Sequence, residues 1–253
     1  MKFAKSLITV TAFVATGVAS AAAVTVPANT AFSGLSFSGS GALSFSADLL
    51  GALDTGKVTV ANYGNATTSV LKDTDGYYAS VTASAPITAL TIDTTNYAVL
   101  SAATSGGATQ TAPVLKSVSS GGSLTVTDLN VDLANKKVYA TLIGGNGVGT
   151  LTNFYLWDIG SITGATSVTG AGSFTTTMTG LSITTDGFNK FTQALGLLTL
   201  GKSALSGVTD FGSISSTIVA KVATVTAVPE PATYALMGLG LVGMMLVARR
   251  RQA

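Results

Sequence analysis

The sequence predicts an all-β body, mainly antiparallel and sandwich-like, with one short helix near 186–196. A cleaved N-terminal signal helix precedes it and a C-terminal transmembrane helix follows it. Three observations lead to this reading. Ser and Thr supply about a quarter of the 253 residues, and β-branched side chains suit pleated, half-buried surfaces. Short runs that alternate apolar with small polar residues recur between Gly-, Asn- and Asp-containing breaks, the period of a strand with one greasy face. Only 9% of residues are charged, against about 25% in an average soluble domain, and apolar runs flanked by cations sit at both ends.

Residues 1–23 read as a signal peptide. Lys2 and Lys5 form a positive start, and Leu7 to Val18 an apolar stretch too short to span a bilayer about 30 Å thick. Ala19-Ser20-Ala21 and Ala21-Ala22-Ala23 both offer small-x-small cleavage patterns, so Ala21 and Ala23 are the candidate cleavage residues. Such a leader implies signal peptidase and the Sec translocon as partners, and export of everything after it.

The body spans 24–226. Its first segment, LSFSGSGALSFSA, places Leu35, Phe37, Leu43, Phe45 and Ala47 on one parity and serines on the other. Gly39-Ser40-Gly41 between the arms predicts a hairpin. Further strands are expected at Lys57–Tyr63, Thr68–Lys72, Tyr77–Thr82, Ile87–Ile92 and Tyr97–Ala102. The small-residue region Ser101–Gly122 then reads as a long loop or linker that would subdivide the body. Beyond it come Leu124–Leu133, Lys137–Ile143, Asn153–Ile159, Ser173–Met178, Leu181–Thr184 and Phe211–Thr226. The apolar parity slips at Asp128, which predicts a bulge, and Ala134-Asn135 predicts a turn before Lys136. Asp186 is a candidate cap for the helix, with Phe188, Phe191, Ala194 and Leu195 on its apolar face and Gly196 near its end.

Composition narrows the chemistry. The chain has no His and no Cys, so the usual general base, the thiolate nucleophile and the commonest metal ligands are missing. No cofactor and no metal site is expected. Between 24 and 227 lie eight lysines and ten aspartates, a mildly acidic balance with no basic patch for nucleic acid. Gly196–Ser203, GLLTLGKS, fits the letters of a phosphate-binding loop, but leucines fill it and a helix is expected before it, so a chance match over a buried Leu cluster is the better reading. Ser69–Lys72, SVLK, has the spacing of a Ser-Lys acyl enzyme without its partner elements and falls in a strand. Asp73–Gly76, DTDG, opens like a calcium loop, yet the body holds no Glu to close one, so a hairpin turn is the better reading. In NFYLWDIG, Asn153–Gly160, alternation puts Tyr155 and Trp157 on one inward face with Ile159. An exposed pair would instead make a weak sugar or ligand contact. No carboxylate pair can be assigned to glycosidase work from spacing.

The terminus 227–253 carries the most specific signal. Val228-Pro229-Glu230-Pro231 holds the only glutamate of the chain in a stiff, extended peptide, since each proline fixes its own φ and extends the residue before it. An apolar run follows, about 232–248. Its 15 residues from Tyr234 to Ala248 make about 22 Å of helix, near the lower limit for a membrane span. Arg249, Arg250 and Arg251, the only arginines, come next and would stop transfer and stay cytoplasmic. The order Pro-Glu-Pro, apolar helix, Arg cluster resembles the PEP-CTERM sorting signal of Gram-negative bacteria. The resemblance implies recognition by an exosortase, a membrane cysteine peptidase that cuts near the motif. It implies a precursor held transiently in the inner membrane and a mature form at the envelope or outside. It also implies an association with exopolysaccharide, biofilm or floc matrix.

Together these readings predict a secreted, exosortase-sorted envelope or matrix protein without catalytic activity, structural or exopolysaccharide-associated. The alternative is an extracellular module that binds a glycan or a small ligand.

Overall fold

The alternation in the sequence becomes strands almost everywhere it occurs. The computed structural model describes residues 22–223. Along them run β1 (Ala23–Pro27), β2 (Ala31–Phe32), β3 (Leu35–Phe45), α1 (Ala47–Thr55), β4 (Thr59–Tyr63), β5 (Thr67–Lys72), β6 (Tyr78–Asp93), β7 (Val99–Thr104) and β8 (Gly107–Leu115). Then come β9 (Ser119–Asp132), β10 (Lys137–Gly144), β11 (Gly149–Gly164), β12 (Gly172–Ile183), α2 (Thr185–Ala194), α3 (Thr199–Ser206) and β13 (Gly212–Val222). The expected signal helix and transmembrane helix lie outside the described residues. Within those residues no helix is long and apolar enough to cross a membrane.

Every strand pairing is antiparallel, and the pairings close on themselves. β6 pairs with β3, and the ladder continues through β13, β12, β11, β10 and β9. β9 then pairs with β7, and β7 returns to β6. The two facing layers that a sandwich-like body requires are thus parts of one sheet curled into an eight-stranded ring. A ring of that number leaves an interior just wide enough for side chains to fill. β1 and β5 flank β6, β2 pairs with β3, and β8 and β4 extend the sheet beyond β9. Leu124, Leu142, Leu156 and Leu181 are fully buried inside it; each such side chain contributes about 1.5–3 kcal/mol of transfer free energy. Trp157, Phe211 and Phe191 pack in sequence, with ring centroids 6.4 and 6.1 Å apart.

Four expectations change. Gly39-Ser40-Gly41 is not a turn: β3 runs straight through it, keeping the parity of Leu35, Phe37, Leu43 and Phe45. The glycine at 39 is required by close packing instead, because a Cβ there would stand 2.1 Å from the Thr217 carbonyl oxygen of β13. Ser101–Gly122 is not a loop: it forms the rest of β7, all of β8 and the start of β9. Its small residues are strand residues of a tightly curved sheet. Helices α1 and α3 join the one that was expected. Ser46 caps α1 by accepting from the Leu49 amide at 3.1 Å, and Leu49, Leu50 and Leu53 are its buried stripe. In α3, Gly201 lets the helix sit on backbone, since a Cβ would be 2.3 Å from the Val118 carbonyl oxygen. The cap of α2 is Thr184, accepting from the Gly187 amide, while Asp186 stands in the first turn.

Other expectations hold. Asp128 takes φ +51° at a register shift where β9 gains residues against β10, the bulge anticipated at that position. The turn before Lys136 lies between β9 and β10, where Asp132 accepts from the Asn135 amide at 2.9 Å. Asp73–Gly76 closes the β5–β6 hairpin, with the Asp73 carboxylate accepting from the Asp75 and Tyr77 amides.

Candidate functional site

The predicted site residues fall into three places. Ala21, the sorting segment Val228, Pro229, Glu230 and Pro231, and Arg249, Arg250 and Arg251 lie outside the described residues. Ala23 is the first residue of β1, paired with Asp93. Tyr155 and Trp157 sit on β11.

Trp157 and Tyr155 do not share a face. Trp157 is opposite Val138 and Tyr155 is opposite Tyr139, so the register skips at Leu156. The bulge buries both Leu156 and Trp157 and turns Tyr155 outward. Trp157 is a core residue at 3% exposure, whereas Tyr155 is half-buried on the outer surface. There the Tyr155 ring lies 5.5 Å from that of Tyr139, with Lys137 Nζ 4.6 Å from its centroid. Its hydroxyl donates to the Asp158 carboxylate. That bond, helped by burial, pushes the Tyr155 phenol up to about 12. The cluster is closed on itself: the hydroxyl is committed to Asp158, and Lys137 covers the ring.

The interior of the ring keeps an apolar cavity of about 50 Å³. Small residues make the space: Gly41, Ala83, Ala85, Ala102 and Ala108 all line it. Trp157 also lines it, and its indole N–H is buried with no hydrogen-bond partner. Gln110, 4% exposed, brings an amide to the same wall. Sequence periodicity gives no sign of this cavity, because it exists only once β7 closes the ring.

Nine of the ten aspartates of the body have a structural post, while Asp75 gives only its amide, to Asp73. Asp54, Asp73, Asp93, Asp128, Asp132 and Asp210 accept backbone amides of Tyr78, Tyr77, Thr95, Gly106, Asn135 and Leu181. Asp48 and Asp186 stand in the first turns of α1 and α2, where a negative charge meets the helix dipole. Asp75 is in the β5–β6 turn, and Asp158 holds Tyr155. Among the described residues no three metal-binding side chains converge. The phosphate-loop letters at Gly196–Ser203 fold with their amides already spent. Leu197, Leu198 and Leu200 donate to the carbonyls of Thr192, Val118 and Ser117. Leu197 is buried, but Leu198 and Leu200 are exposed, so the leucines form no buried cluster. Ser69 and Lys72 lie on β5, and both are exposed.

Comparison with known proteins settles the terminus. Residues 227–251 match the PEP-CTERM protein-sorting motif. The motif marks the chain for export and for processing by an exosortase, from a precursor anchored in a membrane by its C-terminus. Its span takes in the Pro-Glu-Pro triplet, the apolar run and the three arginines. No curated protein and no solved structure matches the chain. The sorting motif is therefore the feature this chain shares with known proteins, and the β-ring body has to be read from its own residues.

Proposed function

We propose that this is an exosortase-sorted structural protein of the cell envelope or extracellular matrix, associated with exopolysaccharide and without catalytic activity. The sorting motif at 227–251 carries the reading. Glu230 acts as the charged residue of the peptide presented to the peptidase, with Pro229 and Pro231 holding it extended so that little ordering cost remains on binding. Arg249–Arg251 hold the tail on the cytoplasmic side until the cut. Signal peptidase acts at Ala21 or Ala23 after passage through the Sec translocon. The deployment of the aspartates supports a non-catalytic body: with no His, no Cys and no Glu before residue 230, Asp is the main candidate acid or base, and six of the ten side chains close turns and cap amides. Replacing Glu230 with Ala should leave unprocessed precursor in the membrane, read as a larger band in immunoblots of fractionated cells. Normal maturation of the variant would remove Glu230 from recognition.

One observation favours a second reading, a small-ligand module. The unpartnered Trp157 N–H beside the ring cavity would gain an acceptor from a guest, and an unsatisfied buried donor costs about 1–3 kcal/mol. The volume admits only a few heavy atoms. A short-chain alcohol or ketone should then raise the melting temperature of the protein but not that of Trp157→Phe. Equal shifts, or none, would rule this reading out.

A further inference from the structure

The topology brings both ends of the body to one rim of the ring. At the start, Ala23 pairs with Asp93 at the end of β6, and the Ala22 carbonyl accepts from the Thr94 amide at 3.2 Å. At the finish, Val222 pairs with Leu35 at the start of β3, and the Ala223 amide donates to the Gly34 carbonyl at 2.8 Å. β3 and β6 are antiparallel neighbours, so the start of one and the end of the other share a rim. The β6–β7 turn and the β11–β12 connection are there too, joined by the Ala98–Ser167 bridge. The three helices belong to the other rim: α1 follows β3, α2 follows β12 and α3 precedes β13.

Covalent length turns this into an orientation. Five residues, 224–228, separate Ala223 from Pro229. Fully extended, that connection reaches about 20 Å. At the other end, the candidate cleavage residues Ala21 and Ala23 abut or open β1. Both apolar segments of the precursor therefore attach to the same rim, the C-terminal one through residues 224–231, which reach about 30 Å when fully extended. The rim's ionised carboxylates, Asp93 held by Thr95 and Asp132 by Asn135, balance the exposed Lys136 and Lys221, so these four side chains leave the rim with little net charge. The loops between them, Ser33-Gly34 and Thr166 to Ala171, carry small uncharged residues with Val168 buried.

We propose that the terminal rim is the face the exported precursor turns toward the lipid headgroups of the membrane that holds its tail, with the helical rim directed away. The inference rests on the sorting reading above. The exosortase then meets its motif directly beneath a folded body whose nearest surfaces are the β2–β3 turn and the β11–β12 connection.

The chain has no cysteine, so a single probe can be placed at will. The full chain would be prepared as Thr169→Cys on the terminal rim and as Thr74→Cys in the β5–β6 turn of the helical rim. Each variant would carry a fluorophore and be reconstituted into phosphatidylcholine–phosphatidylglycerol vesicles containing headgroup-quencher lipid. Quenching several-fold stronger at 169 than at 74 is the expected result. Equal quenching, or stronger quenching at 74, overturns the orientation. Flotation of both labelled proteins with the vesicles, lost when residues 234–253 are deleted, reports anchorage by the tail. Failure to float removes the sorting reading and the orientation together, whereas flotation with the reverse quenching pattern removes the orientation alone.

Discussion

Tyr155 keeps its proton in the folded protein because the Asp158 carboxylate accepts its hydroxyl hydrogen and burial adds to the effect, pushing the phenol up to about 12. The fold favours the neutral form, so this contribution to stability is fully present below the unfolded value of about 10. It is lost as pH climbs from there through the raised native value. Phenolate absorbance during an alkaline titration should contain a component near 12, and that component should move to lower pH in Asp158→Asn. A titration identical in the two proteins would contradict the bond. At this scale the sequence was half readable. Alternation rightly placed Trp157 in the core with Ile159, but it placed Tyr155 there as well. The error came from the bulge at Leu156, which reverses parity between two residues and leaves no mark on composition. The bulge at Asp128 was readable because an aspartate interrupts an apolar parity and tolerates positive φ.

Among the elements, those whose apolar period matches their own geometry were legible: the strands on either side of each polar turn, and α2 with its Phe188, Phe191 and Ala194 spacing. Glycine is where the reading failed. Gly39 and Gly41 look like turn residues, but β3 uses the smallness of Gly39 to lie against β13. Gly51 and Gly201 interrupt α1 and α3 and hid both from a propensity argument, although Ser46 and the Leu49, Leu50, Leu53 stripe were signals of α1. Adding one methyl group at Gly39 tests this account. Gly39→Ala forces a Cβ into the Thr217 carbonyl and toward Ile87, and should destabilise the mature protein by about 1–3 kcal/mol in urea unfolding. Unchanged stability would mean that β3 and β13 can part there without loss.

For the whole molecule, the all-β class and the sorting signal were legible, and ring closure was not. Closure depends on β7 reaching both β6 and β9, a pairing between distant segments that no local pattern encodes. The tail was legible because its physics is local: a glutamate between two prolines, an apolar run and a cationic stop in one short stretch. In this account the body is a delivered product and the tail a removable anchor. Mass spectrometry of the protein purified from its native cells tests that most directly. The account predicts a mature chain that begins just after Ala21 or Ala23 and ends near Pro229–Pro231, without Arg249, Arg250 and Arg251. A purified chain that still carries those three arginines would contradict it.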